Sequence, residues 1–213
     1  MSEYLALFQR QLTALLDETP PYDYQRSVSA AWSLALDRLR EENPAAVELL
    51  HALAWLAPEP VPTSGFRHRD GDHARAGGFL AVSRAVRAIN RHSLARIDYR
   101  TGAIQLHRLL RMVLRSSLSK GERDTSLRTA HSLAAALPPS SCRTAHLLAC
   151  RAVESRDPTV RSALLDQLRW LAAEGSTRDE HRLAEAVHEE WSRTDTTTPA
   201  ELTELARHLP SPP

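Results

Sequence analysis

The chain has 213 residues and a mass of 23.7 kDa, enough for one globular domain or two small ones with a real core. Apolar residues at 42% and charged residues at 25% exclude disorder and a membrane-embedded chain as defaults. Aromatics at 5% and only 7 glycines argue against a β-sandwich, and 32 Leu with 31 Ala favour helix. The 27 cations against 26 acids leave a net charge of +1, a balanced total with no global field for nucleic acid or an anionic membrane.

Leu5, Phe8, Leu12, Leu15 and Leu16 recur at helical spacing and predict a helix over residues 4–17, ended by Pro20-Pro21. A second helix is predicted from Tyr24 to Glu42, with Val28, Trp32, Leu36 and Leu39 on one face. Asn43-Pro44 reads as an N-cap followed by proline at the first helical position. The helix it opens carries Val47, Leu50, Leu53 and Trp55, and the proline-rich run from Ala57 to Pro62 stops it. Residues 63–77, rich in Gly, Asp, Arg and His, predict an exposed loop, with a helix following from Gly78 to His92.

The period then changes. Leu94 to Tyr99 and Ala103 to His107 alternate apolar and polar residues around Arg100-Thr101-Gly102, which predicts a β-hairpin. A helix starts near His107. Ser119 with Glu122 forms a capping box, Asp157-Pro158 repeats the cap-then-proline signal, and Thr177 with Glu180 and Thr198-Pro199 with Glu201 mark two further starts. Helices are expected at about 120–137, 141–155, 158–174, 178–193 and 199–208, before a loose tail from Pro210 to Pro213. Three helices, a hairpin and a further helix outline a winged-helix unit, and the paired helices after it suggest an α-solenoid without a clean repeat.

Cys142 and Cys150, eight residues apart on one predicted helix, would lie about 12 Å apart, too far for a disulfide. Both read as small buried thiols. No apolar run reaches the ~18 residues of a membrane span, and Met1 to Tyr4 shows no basic start before an apolar stretch. The expectation is a cytoplasmic protein with reduced cysteines.

Tyr4 to Phe8, Ser27 to Leu39 and Pro44 to Pro62 resemble the region that follows the nucleotide-binding core in actinobacterial NB-ARC/TPR proteins, which are STAND-class signal-transduction NTPases. Ser93 to Arg96 and Ile104 to Arg115 are similar to their winged-helix hairpin and the helix after it. The resemblance covers roughly residues 4–118 and weakens where that family begins its TPR array. It implies a switch in which a P-loop domain, a helical domain and the winged helix share a nucleotide. It also implies that His107, at the start of the helix after the hairpin, touches the ADP phosphate. The chain departs from the family in having no G-x-x-x-x-G-K-[ST]; its one lysine, Lys120, lies in no glycine-rich loop.

Other clusters carry weaker signals. His68, Asp70, Asp72 and His73 have metal-ligating chemistry but sit in a stretch that reads as a solvated loop, so no metal is expected. Trp32, Trp55, Trp170 and Trp191 fall on apolar helical faces and read as packing. No nucleophile motif supports a hydrolase.

The sequence therefore predicts a mostly α protein: a helical and winged-helix module with one small β-hairpin over 1–118, then a helical TPR-like module over 119–209. Its expected role is a non-enzymatic regulatory module with no cofactor of its own, contacting protein partners such as an NTPase domain. His107 would meet nucleotide only when a partner holds it. The alternative is a winged-helix DNA-binding transcriptional regulator using Arg84, Arg87, Arg91, Arg96 and Arg100; the balanced charge argues against it.

Overall fold

The computed structural model describes residues 24–68, 76–194 and 197–210. The helix expected over 4–17, most of the His- and Asp-bearing loop and the last three tail residues lie outside these.

The described residues are mostly helical, with one small antiparallel sheet. Helix α1 spans Tyr24–Glu42 and α2 spans Pro44–Trp55. Asn43 caps α2 through its side-chain oxygen, which accepts from the Ala46 N–H, and Pro44 takes the first position, where no amide hydrogen is needed. Strand β1 (Val61–Pro62) leads into a 3-10 turn at Thr63–His68. Helix α3 (Ala76–Arg91), β2 (Ala95–Asp98), β3 (Ala103–Leu106) and α4 (Arg108–Ser117) follow. The sheet order is β1-β3-β2, both pairs antiparallel, with Ile104 of β3 opposite Val61 on one side and Ile97 on the other. A helix feeding a hairpin whose second strand is central is the arrangement of a winged helix.

Beyond it come α5 (Lys120–Ala136), α6 (Ser141–Ala149), α7 (Pro158–Ala173), α8 (Thr177–Thr194) and α9 (Pro199–Ala206). Helix α5 packs on α6 and α7, α7 on α8, and α9 on both α7 and α8. Capping boxes at Ser119/Glu122 and Thr198/Glu201 start α5 and α9, and the Asp157 carboxylate caps α7.

Two expectations are corrected. The loop predicted from residue 63 begins as the 3-10 turn, with Phe66 buried in the core and Gly65 so close to α5's end that a Cβ there would meet Leu137 Cδ2 at 2.5 Å. The helix predicted over 141–155 stops at Ala149. Arg151 turns left-handed (φ 58°), and a short 3-10 segment at Ala152–Glu154 redirects the chain so that Ala152 is buried. The helix start expected at Thr177 with Glu180 is where α8 begins, and the Glu180 carboxylate accepts from His208 Nδ1 at 2.8 Å, two residues beyond α9.

Helix α2 occupies the centre. Ala46, Val47, Leu49, Leu50, Ala52, Leu53 and Ala54 are all buried, and α1, α3, α4 and α5 pack around them. A helix apolar on nearly every side ends away from water, so its last carbonyls need protein donors. Two arginines of α4 supply them. Arg115 Nε donates to Ala54 O at 2.7 Å; Arg111 Nη1 and Nη2 donate to Leu56 O and Ala57 O at 2.6 and 3.0 Å. The Arg115 guanidinium also lies over the Trp55 ring, 4.8 Å from its centre, while Trp55 Nε1 donates to Ser126 Oγ of α5 at 2.8 Å.

One buried core cluster, from Leu39 to Leu205, holds residues from both sides of residue 118. Replacing Arg111 by Met keeps its apolar bulk and strands two carbonyls. Urea unfolding should show a loss of about 1–3 kcal/mol for each buried carbonyl left unpaired, whereas Arg84→Met, on the exposed side of α3, should change stability by under about 0.5 kcal/mol.

Candidate functional site

His107 stands at the N-cap of α4. Its Nδ1 accepts the Leu109 N–H at 3.3 Å, and its exposed ring lies 6.2 Å from that of Trp32 on α1. A nitrogen that accepts carries no proton, so the cap fixes the tautomer with hydrogen on Nε2. The side chain therefore presents an Nε2–H donor beside the end of the hairpin.

The five arginines singled out in the sequence are all exposed, but they do not form one surface. Arg84, Arg87 and Arg91 share a face of α3 by their spacing. Arg91 is paired with Glu42 of α1, which also holds His92 Nε2 at 3.0 Å. The hairpin tip joins this face: Asn90 Nδ2 donates to the Tyr99 hydroxyl at 3.0 Å, which places Arg100 beside the helix. Arg96 points away from the core onto the outer face of the sheet, in a shallow groove with Pro60, Asp98, Gln105 and Cys142. Asp98 is occupied within the turn: the Thr101 hydroxyl first, and then the Arg100 and Thr101 N–H groups, donate to its carboxylate and hold it below the usual range.

One signal went unread in the sequence. Between Ala76 and Leu118 there are eight arginines and a single acid, Asp98, so the near-zero total conceals a basic winged unit within an otherwise acidic chain.

A second concavity lies between α5 and α7, with a volume of about 780 Å³. Ala135, Ala136 and Ala163 keep it open, Ser132, Thr159 and Ser162 line it with hydroxyls, and Asp157 and Asp166 stand at its rim. Arg143 of α6 is in its wall, only 4% exposed; Nη2 donates to Ala135 O at 2.8 Å, and Nε is buried with no hydrogen-bond partner.

Sequence reasoning also missed a buried polar knot where α6 meets the winged unit. His146 is fully buried, and its ring nitrogens face the Pro60 backbone without reaching ideal hydrogen-bond geometry. Glu59, the Pro60 backbone and Arg111 are its polar neighbours. Burial holds the His146 pKa below 6.5, with Glu59 pulling upward and Arg111 adding to the fall. Burial acts the same way on His131, whose Nε2 donates to the Cys150 carbonyl at 2.8 Å, and on His51.

The cysteines separate. Cys150 is buried and its thiol is pushed up to about 12 by desolvation; Cys142 is exposed, which corrects the expectation that both are buried. The tryptophans behave as packing residues. Trp191 is in the core with Nε1 donating to Val153 O, and Trp32, Trp55 and Trp170 pack against it. Among the described residues no group of three or more His, Cys, Asp and Glu side chains is placed to hold a metal ion, and no helix is long and apolar enough to cross a membrane.

No protein-family model, curated protein or solved structure matches the chain.

Titration with an aromatic disulfide reagent should label one thiol per native chain, Cys142, and two after denaturation; equal labelling of both in the native state would contradict the burial of Cys150. The histidines set a pH dependence. The folded chain resists protons that unfolded histidines accept near pH 6.5, so their contribution is complete above that value and is lost as pH falls through the lower folded values. The melting temperature should drop between about pH 7.5 and about pH 5, and His146→Leu should reduce that drop.

Proposed function

We propose that the chain is a non-enzymatic, cytoplasmic regulatory module of a STAND-type (NB-ARC/TPR) signalling protein, acting through protein–protein contacts. The observation that carries this reading is the open groove between α5 and α7. Its small residues admit a polypeptide at close range, its hydroxyls and Arg143 offer donors to main-chain carbonyls, and Asp157 and Asp166 offer acceptors at the rim. A TPR-like stack of helix pairs presents such a groove on a rigid frame.

The winged unit supplies the regulatory contact. It docks on an NTPase core contributed by a partner, and His107 directs its Nε2–H toward a phosphate oxygen of the nucleotide held there. The docking free energy would then differ between nucleotide states, which biases a two-state equilibrium.

Two measurements test this. A photo-crosslinking residue placed at Ser162, in the groove, should yield a discrete protein adduct in cells, and the same residue at Arg193 on α8 should not; no adduct from Ser162 or Ser132 would remove the recognition role. Calorimetric titration of ATP and ADP into the chain alone should show no binding. Binding at about micromolar affinity that His107→Ala abolishes would mean the chain itself holds the nucleotide.

A further inference from the structure

We infer that the exposed face of α3, together with the hairpin tip, binds the phosphate backbone of duplex nucleic acid without reading its sequence. This face is separate from the α5–α7 groove, so the inference stands or falls independently of what the groove receives.

Arg84 and Arg87 on α3 and Arg100 at the tip are exposed and carry no ion pair among the described residues, and Arg91 is shared with Glu42. The one acid of the winged unit, Asp98, is spent on the turn's own amides. The face therefore carries positive charge that nothing within it neutralises, even though the chain as a whole is near neutral.

The Asn90–Tyr99 hydrogen bond ties the hairpin tip to the helix, so Arg100 is held at a fixed place beside the α3 row. Arg84 to Arg91 spans about 10 Å along the helix axis, and two linked elements projecting from one unit can meet phosphates on either side of a groove about 12 Å wide.

The apolar content of the face decides between a nucleic acid and an acidic protein. A stable protein interface needs a buried apolar centre. Over residues 81–100, which carry this row and the hairpin tip, Tyr99 is the exposed large hydrophobic residue. A phosphate backbone needs no such centre, since released counterions supply the affinity. Asn90, the amide on this face, is engaged by Tyr99 and so is not free to read a base edge.

The test uses the full chain and fluorescein-labelled duplex DNA of about 24 base pairs in two unrelated sequences, titrated by anisotropy at several salt concentrations. Contact with about three phosphates gives a slope of about −2.7 for log affinity against log salt, a loss of about 40-fold between 50 and 200 mM. Arg84→Glu with Arg87→Glu should flatten the slope by about 2 and Arg100→Glu by about 1. Arg178→Glu on α8 should leave it unchanged, and the two sequences should bind within about threefold of each other. Glutamine replacements at Arg84 and Arg87 provide the same readout without introduced repulsion. The inference fails if no duplex binds at 50 mM salt, if Arg178→Glu weakens binding as much as the α3 pair, or if the sequences differ more than about tenfold. Polyglutamate binding tighter than duplex at equal salt would overturn it in favour of an acidic protein.

Discussion

The structure hangs on the need to end a buried helix. Helix α2 buries apolar side chains on most of its circumference, and its C-terminal carbonyls fall where water cannot serve them. The two arginines of α4 that take those carbonyls fix where α4 lies, and α4 follows directly from β3, so the small sheet is positioned by the same bonds. Trp55, at the last turn of α2, carries Arg115 over its ring and bonds Ser126 of α5 through its indole nitrogen. The winged unit and the helix pairs thus meet at one polar centre inside a continuous apolar core. The architecture changes near residue 118, and one core cluster holds residues from both sides of it.

The far end of the molecule solves a similar problem differently. Helix α9 is short and buries little beyond Leu205. Arg161 of α7, itself buried, binds the Glu201 carboxylate with both Nε and Nη2 and lies 3.9 Å from the centre of the Trp191 ring. Although burial pushes the Glu201 carboxyl upward, the hydrogen bonds from Arg161 and Thr198 hold it below the usual range. A bidentate, aromatic-stacked arginine keeps its geometry where a flexible ammonium would not. His208 on Glu180 then closes the chain onto α8. Isolated pairs of this kind add little at an exposed surface; here they set register and orientation for a helix with too little apolar area to set its own.

How much of this could be read in advance depends on how local the determining chemistry is. Asn43-Pro44, Ser119 with Glu122, Asp157-Pro158 and Thr198 with Glu201 mark helix starts within four residues, and the structure begins α2, α5, α7 and α9 at those points. The hairpin was legible from its alternation and from Gly102, whose φ of 62° the turn requires. Strand β1 has two residues and no period to detect; it exists because β3 has a free edge beside it. The end of α6 at Ala149 follows from where Ala152 and Trp191 must pack, tens of residues apart. The knot of Glu59, Arg111 and His146 draws on three distant segments, and nothing in any one of them distinguishes a buried histidine from an exposed one.

Arginine accounts for nearly all the positive charge, 26 of 27 cations, and the same residue type serves two opposed purposes. Arg111, Arg115, Arg143 and Arg161 have been drawn inward. Burial lowers the first three below their ordinary value, yet arginine starts so high that each keeps its proton and can still donate from a planar fork. A lysine in those places would offer one compact, strongly hydrated charge and would lose it on burial. Arg84, Arg87 and Arg100 remain outside, on a unit with almost no acid to neutralise them. Composition alone cannot separate the two groups, because inward and outward arginines count equally toward the net charge of +1. Only the fold, by drawing some cations to helix carbonyls and leaving others in water, turns a neutral total into a polarised surface.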